Sequence, residues 1–298
     1  MRYVIAITDL HRALLRGMGS ADEGDRVDVV VARTSEMTSP GRFAPVFRAL
    51  VCCLWDRESV AVISHPFNPW FALYAFVARS IEIYDDGTAY YAESSTPSGL
   101  PVLVYKLLTA KHFRWRIDRT PVRDFGTMLA ASKAKVMHAM YPQFLRPLPM
   151  PVRGIDLTIA FQEGVKIATP YATVYLDTHP SRVGTAEAAT KVIECLRVAA
   201  RAEPTGTIYY KPHPTGPSSV ATALASMSWA RLLPGPFEEA LQHTAINRVY
   251  SFSSSGALSV KNTYPEARIF NFATAKTIAA PDLLTLFFRR LGAHEIEI

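Results

Sequence analysis

Ile81-Glu82-Ile83-Tyr84-Asp85-Asp86-Gly87 is a short β-type run that stops on two carboxylates and a glycine. Its alternation predicts a strand over Ile81–Tyr84, closed by a turn at Asp-Gly. Asp85, Asp86 and Gly87 then fall at the C-terminal end of a strand, where open α/β sheets carry their functional groups. Side chains of adjacent extended residues point to opposite sides. One carboxylate therefore faces outward while the other holds the turn or binds a backbone N–H. A turn without chemistry has the same sequence, so the meaning of these residues depends on the rest of the chain.

Working outward, β-type runs alternate with helical stretches nearly from end to end, which predicts parallel sheets with crossover helices. In the first half the strands are Tyr3–Thr8, Val27–Ala32, Val60–Ser64 and Ile81–Tyr84. Arg42–Trp55, Pro69–Ser80, Leu100–Lys111 and Met128–Met140 have helical character. Pro142–Gly154, with prolines at 142, 147, 149 and 151, is expected to break regular structure and serve as a linker. In the second half Thr173–Leu176, Thr207–Tyr210, Arg248–Phe252 and Arg268–Phe272 are strands. Gly184–Ala200 is a helix capped by Thr185 or Gly184, Ala257–Asn262 is helical, and Pro281–Leu291 is a final helix. The expected fold is α/β, with two doubly wound Rossmann-type domains facing a central cleft. Residues 1–154 are expected to form an N-terminal domain carrying DDG, and residues 155–298 a C-terminal domain carrying the motifs of the second half. Neither GxGxxG nor GxxxxGK[ST] occurs.

The 298 residues are 49% hydrophobic, enough for two cores. The three cysteines, with Cys52 and Cys53 adjacent and Cys195 apart, offer neither a disulfide framework nor metal-ligand spacing. The apolar run at Met1–Thr8 is too short for a signal peptide, and nothing later reaches membrane-spanning length. The net charge of +6 is concentrated in Lys106, Lys111, His112, Arg114, Arg116, Arg119 and Arg123, interleaved with Phe113 and Trp115. This stretch reads equally as a solvated helix face and as a contact for anionic lipid or an acidic glycan. Nucleic acid is not an expected partner, since acidic and basic residues nearly balance and no nucleic-acid-binding motif appears. A cytoplasmic protein, peripheral at the inner face of the membrane, is the expected location.

Two motifs in the second half supply the complement of the carboxylates. Lys211-Pro212-His213-Pro214 follows a strand, and the fixed φ of its prolines limits how the imidazole is presented, while Lys211 beside His213 makes a local anion site. His65-Pro66 and His179-Pro180 also follow strands but lack the lysine. Ser253-Ser254-Ser255-Gly256 precedes a helix, where hydroxyls and free N–H groups form a phosphate seat or simply an N-cap. Between them, Pro236-Phe237-Glu238-Glu239 opens a helix with a carboxylate able to accept from ribose hydroxyls.

In its D-D-G, H-P and S-S elements the chain resembles the bacterial sialyltransferases of the GT-B fold, including the lipooligosaccharide sialyltransferases and capsular polysialyltransferases. The resemblance implies inverting transfer of sialic acid from CMP-sialic acid to a glycan hydroxyl. By it Asp86 is the general base and His213 the general acid. Lys211, Pro214, Glu238 and two of Ser253, Ser254 and Ser255 meet the CMP moiety, with Asp85 and Gly87 in support. CMP-sialic acid is the donor substrate, the acceptor is a cell-surface glycan, and neither cofactor nor metal is implied. Transfer of another CMP-activated ulosonic acid such as Kdo, some of whose transferases also carry K-P-H-P before a serine-rich loop, is the alternative enzyme. A non-catalytic nucleotide- or glycan-binding protein on the same scaffold is the alternative outside catalysis.

Overall fold

The computed structural model describes residues 1–6, 9–18, 26–30, 40–64, 69–85, 134–145, 150–157, 169–178, 183–213, 216–233, 235, 237, 240–241, 244–279, 281 and 283–298. They form two compact units, Met1–Ala160 and Phe161–Ile298.

The first unit is built on β1 (Arg2–Ala6), β2 (Arg26–Val30), β3 (Val60–Ile63), β4 (Ser80–Tyr84), β5 (Ala134–Ala139) and β6 (Val152–Gly154). They pair in the order β2-β1-β3-β4-β5-β6, each neighbour parallel. Helices α1 (Asp9–Gly17), α2 (Pro40–Trp55) and α3 (Pro69–Val77) connect the strands. Alternate strand residues Tyr3, Ile5, Ala61, Ile63, Ile81 and Ile83 meet Val46, Leu50 and Cys53 of α2 and Phe71 and Tyr74 of α3 in one buried core. The period of two on the strands and the i, i+4, i+7 spacing on α2 are what bring these side chains to a common layer. The Tyr74 hydroxyl donates to the Val46 carbonyl at 2.7 Å, tying α3 to α2.

Two expectations are corrected in this unit. The stretch read as a helix over Met128–Met140 contains the strand β5, whose Val136, Met137, His138 and Ala139 are buried between β4 and β6. Ala, Lys and Met favour helix, but the sheet partners on both sides override that weak local preference. The segment read as a linker, Pro142–Gly154, carries a short 3₁₀ turn at Pro142–Phe144 and the edge strand β6. Pro151 is compatible with that edge, because its carbonyl still accepts from the Met137 N–H at 3.0 Å. A smaller shift is that α3 ends at Val77, so Ser80 opens β4. The stretch Leu100–Lys111 and the basic residues through Arg123 lie outside the described residues.

The second unit comprises β7 (Thr169–Leu176), β8 (Ile208–Lys211), β9 (Ala230–Leu232), β10 (Thr244–Ser251), β11 (Arg268–Ala273) and β12 (His294–Glu297). The order β9-β8-β7-β10-β11-β12 is parallel throughout and runs outward in both directions from β7 and β10. Helices α4 (Ala186–Arg201), α5 (Ser219–Leu224), α6 (Ser255–Thr263), α7 (Ala275–Ala279) and α8 (Leu283–Arg290) accompany it. In α4 the Thr185 hydroxyl accepts from the Ala188 N–H at 3.2 Å, and Ala189, Val192, Leu196 and Ala199 form the buried stripe. Residues 172 to 176 of β7 are all buried, as a central strand covered on both faces requires. The result is an α/β fold of two parallel sheets with Rossmann-type topology. Among the described residues no helix is long and apolar enough to cross a membrane.

Candidate functional site

The strand order of the second sheet reverses between β7 and β10, and such a reversal opens a crevice beyond the strands' carboxyl ends. Registers place the ends level: Leu176 of β7 pairs with Lys211 of β8 on one side and with Ser251 of β10 on the other. With strands spaced about 4.8 Å apart, Lys211 and Ser251 stand about 10 Å from each other across β7. The Lys-Pro-His and serine segments, 40 residues apart in sequence, thus leave the same edge of the sheet on either side of one strand.

The serine segment has an unusual backbone. Ser253 has φ +52°, the one positive φ at a non-glycine among the described residues. The side-chain oxygen of buried Asn271 on β11 accepts both the Ser253 N–H at 2.6 Å and its hydroxyl at 3.1 Å. Ser254 caps α6, its hydroxyl accepting from the Gly256 N–H at 3.3 Å, while its carbonyl accepts from the Ala257 N–H at 3.1 Å. The expected row of free N–H groups is therefore partly consumed: the amides of Ser253, Ser254, Gly256 and Ala257 already have protein acceptors. What the loop offers a ligand is chiefly the hydroxyls of Ser254 and Ser255, since the Ser253 hydroxyl already donates to Asn271.

Gly256 has a packing reason. A Cβ there would lie 2.9 Å from Leu176 Cδ1 and 3.1 Å from the Phe237 ring. Phe237 is buried against the start of α6, which brings the segment before Glu238 beside the serines. From the opposite side the Lys211 ammonium donates to the Gly235 carbonyl. Lys211, His213, Gly235, Phe237 and Ser253–Ser255 are thereby gathered at one edge of one unit. Glu238 and Pro214 themselves lie outside the described residues.

Sequence reasoning missed the residue at the centre. Asp177, the first residue beyond β7, is 4% exposed. Its carboxylate accepts from the Ser218 N–H at 2.8 Å, the Ser218 hydroxyl at 2.5 Å, the Tyr175 hydroxyl at 3.1 Å and the His213 N–H at 3.5 Å. Burial first, and the Asp177 charge second, push the Tyr175 phenol well above its ordinary value, so it remains a donor. A carboxylate directly after a buried strand was a legible signal, the same one that drew notice to Asp85. Asn271, inside a strand, gave none.

In the first unit Asp85 is fully buried. Its N–H donates to the His138 carbonyl at 2.8 Å and its carboxylate accepts from the Met140 N–H at 3.3 Å, which binds the end of β4 to β5. Burial and the Asp85 charge raise the Tyr141 phenol above its usual range. Within β4, Glu82 accepts from Arg2 at 2.6 Å and meets the His138 ring at 3.2 Å. Burial works to raise the Glu82 carboxyl, but the His138 hydrogen bond and the Arg2 guanidinium together hold it below its usual value. Asp86 and Gly87, and likewise His65 and His179, lie outside the described residues. Among the described residues no group of three His, Cys, Asp or Glu side chains is arranged to hold a metal ion.

No family model and no curated protein sequence matches the chain. Its fold is similar to that of UDP-GlcNAc 2-epimerases. The enzyme from Methanocaldococcus jannaschii aligns with a TM-score of 0.53 at 10% identity, over 100% of this chain and 89% of that one. The enzyme from Neisseria meningitidis, bound to UDP-GlcNAc, aligns with a TM-score of 0.50 at 11% identity, over 91% and 82%. Identities this low bear on the fold alone, which is the GT-B-like pair of Rossmann-type units.

Proposed function

We propose that the chain is an inverting sialyltransferase that moves sialic acid from CMP-sialic acid to a hydroxyl of a cell-surface glycan. The observation that carries the reading is the level placement of Lys211–His213 and Ser253–Ser255 on either side of Leu176, at the strand-order reversal. There a cation, an imidazole and a row of hydroxyls suit one phosphate and its departure. With most loop amides already bonded, the donor supply favours a nucleoside monophosphate sugar over a diphosphate.

In the proposed step the Asp86 carboxylate takes the proton of the acceptor hydroxyl, whose oxygen forms the new bond to the anomeric carbon. The bond from that carbon to the phosphate oxygen breaks with its electron pair. His213 then delivers a proton to the phosphate, and CMP leaves. Lys211 and the serine hydroxyls hold the charge that builds on the phosphate. Asp85, bonded to the Met140 amide, anchors the end of β4 immediately before Asp86.

The competing donor class is UDP sugars, because the Neisseria meningitidis structural neighbour holds UDP-GlcNAc. A panel of CMP-sialic acid, CMP-Kdo and UDP sugars, scored by thermal shift and by nucleotide release over time, tests the reading. CMP released from CMP-sialic acid in the presence of a glycan acceptor is the expected result. Release from CMP-Kdo alone, release of UDP alone, or stabilisation by nucleotides with no release would each replace it.

A further inference from the structure

We infer that Asp177 is the positioning residue of this site, holding the loop from Lys211 to Ser218 so that His213 stands fixed at the sheet edge. The inference rests on the reading of His213 as the proton donor. One residue ties the loop at its entry, its middle and its exit. The Asp177 N–H donates to the Lys211 carbonyl at 2.9 Å. Its carboxylate accepts from the His213 N–H at 3.5 Å, and from the Ser218 N–H and hydroxyl at 2.8 and 2.5 Å. The same Ser218 hydroxyl accepts from the Ala221 N–H at 3.3 Å, so the loop's exit is also the cap of α5. Inside the loop the His213 carbonyl accepts from the Gly216 N–H at 2.9 Å.

A comparison with a second buried carboxylate bonded to β7 separates this role from simple fold maintenance. Glu203 is also buried and packs beside β7, accepting from the Thr173 hydroxyl at 2.6 Å and from Arg248 at 3.2 Å. Thr173 and Arg248 both belong to strands. Thr173 is four residues before Asp177, about 13 Å along the strand. Glu203 thus braces strands, whereas Asp177 braces a loop. Proline at 212 limits φ but leaves ψ free, and the bonds to Asp177 remove that freedom. Placement matters here because misplacing a catalytic group by about 1 Å can lower turnover about 10²-fold.

The test compares Asp177→Ala, Asp177→Asn and, as the strand-bracing control, Glu203→Gln. Backbone amide exchange at His213 and Ser218 is read in the nucleotide-free protein, and kcat and KM are read with CMP-sialic acid. Asp177→Ala should raise exchange at both amides by about tenfold or more. It should lower kcat about 10²-fold, with a smaller change in donor KM. Asp177→Asn should recover most of both, because its side-chain oxygen can still accept the two amides while its NH₂ faces the Ser218 and Tyr175 hydroxyls, which can accept. Glu203→Gln should lower the melting temperature and leave the His213 amide and kcat at wild type. Should Asp177→Ala not fold, Ser218→Ala removes one of the exit bonds and should raise Ser218 exchange with a proportionate loss of kcat. A folded Asp177→Ala protein with wild-type exchange at His213 and wild-type kcat, or a folded Ser218→Ala protein with wild-type exchange at position 218 and wild-type kcat, overturns the inference. So does a Glu203→Gln protein that loses as much kcat at equal loss of melting temperature. If the wild-type protein neither binds CMP nor transfers sugar, the proposed function falls, and the exchange measurements still decide whether Asp177 holds the loop.

Discussion

The Asn271 side-chain oxygen accepts both the N–H and the hydroxyl of Ser253, and Ser253 has φ +52°. A left-handed conformation costs an ordinary residue about 1–2 kcal/mol, and two hydrogen bonds to a buried amide offset it. Asn271→Ala should therefore destabilise the second unit by about 1–3 kcal/mol and weaken CMP binding, seen by thermal melting and calorimetric titration. Ser253→Gly relieves φ and keeps the bond from the residue 253 N–H to Asn271, so its stability should equal or exceed wild type and CMP binding should change little, the lost hydroxyl having been committed to Asn271. Equal destabilisation by the two variants would contradict this division.

Gly256 is set by close approach rather than by φ. Its added Cβ would press on Leu176 at 2.9 Å and on the Phe237 ring at 3.1 Å. Gly256→Ala should cost about 1–3 kcal/mol and, by displacing Phe237 and the neighbouring Glu238, weaken CMP binding. Gly154→Ala, whose added Cβ would meet nothing nearer than Pro142 at 4.0 Å, is the control and should change neither. Wild-type CMP affinity in a destabilised Gly256→Ala protein would separate the packing from the site.

Glu82 sets a pH dependence for the first unit. Its folded carboxyl lies below the ordinary 4.5, so its stabilising contribution is full above about pH 4.5 and disappears as pH falls through the folded value. Glu82→Gln should melt several degrees below wild type at pH 7, and the gap should close progressively below pH 4.5. A gap that persists unchanged at low pH would mean that Arg2 and His138 do not act through the charge.

Most of the sheet was legible because buried parallel strands are runs of β-branched and aromatic residues bounded by turn formers, as in Val60–Ile63 and Arg268–Ala273. What failed was β5, written in helix-favouring residues and specified by its neighbours rather than by itself. The three-residue β6 and β9 and the charged β12 also escaped, since edge strands this short carry no alternation. The motifs at strand ends were readable because turns demand particular residues. The side chains that hold them were harder: Asp177 stands in a readable place after a buried strand, but its pairing with Ser218, 41 positions away, and the pairing of Asn271 with Ser253, 18 positions away, are not readable. Long-range pairing leaves no local trace in a single sequence.

The basic stretch Lys106–Arg123 is expected to hold the protein at an anionic membrane surface. Each basic residue contributes about 1 kcal/mol at most, so single changes should matter little. Replacing Lys111, Arg114, Arg116 and Arg119 with glutamate should abolish cosedimentation with phosphatidylserine-containing vesicles at physiological salt. Unchanged association of that fourfold variant would remove the stretch from consideration.

The assignment of base and acid is tested most directly by measuring sugar transfer and CMP release from CMP-sialic acid in Asp86→Asn, His213→Ala and Asp85→Asn proteins alongside wild type. Asp86→Asn keeps the side-chain size and removes the proton acceptor, so transfer should fall about 10²–10⁴-fold with CMP binding nearly unchanged. His213→Ala should lose transfer and also bind CMP more weakly, and Asp85→Asn should lose stability with the smaller loss of turnover. Near wild-type transfer by Asp86→Asn or His213→Ala, or a greater kinetic loss from Asp85→Asn, would contradict the assignment.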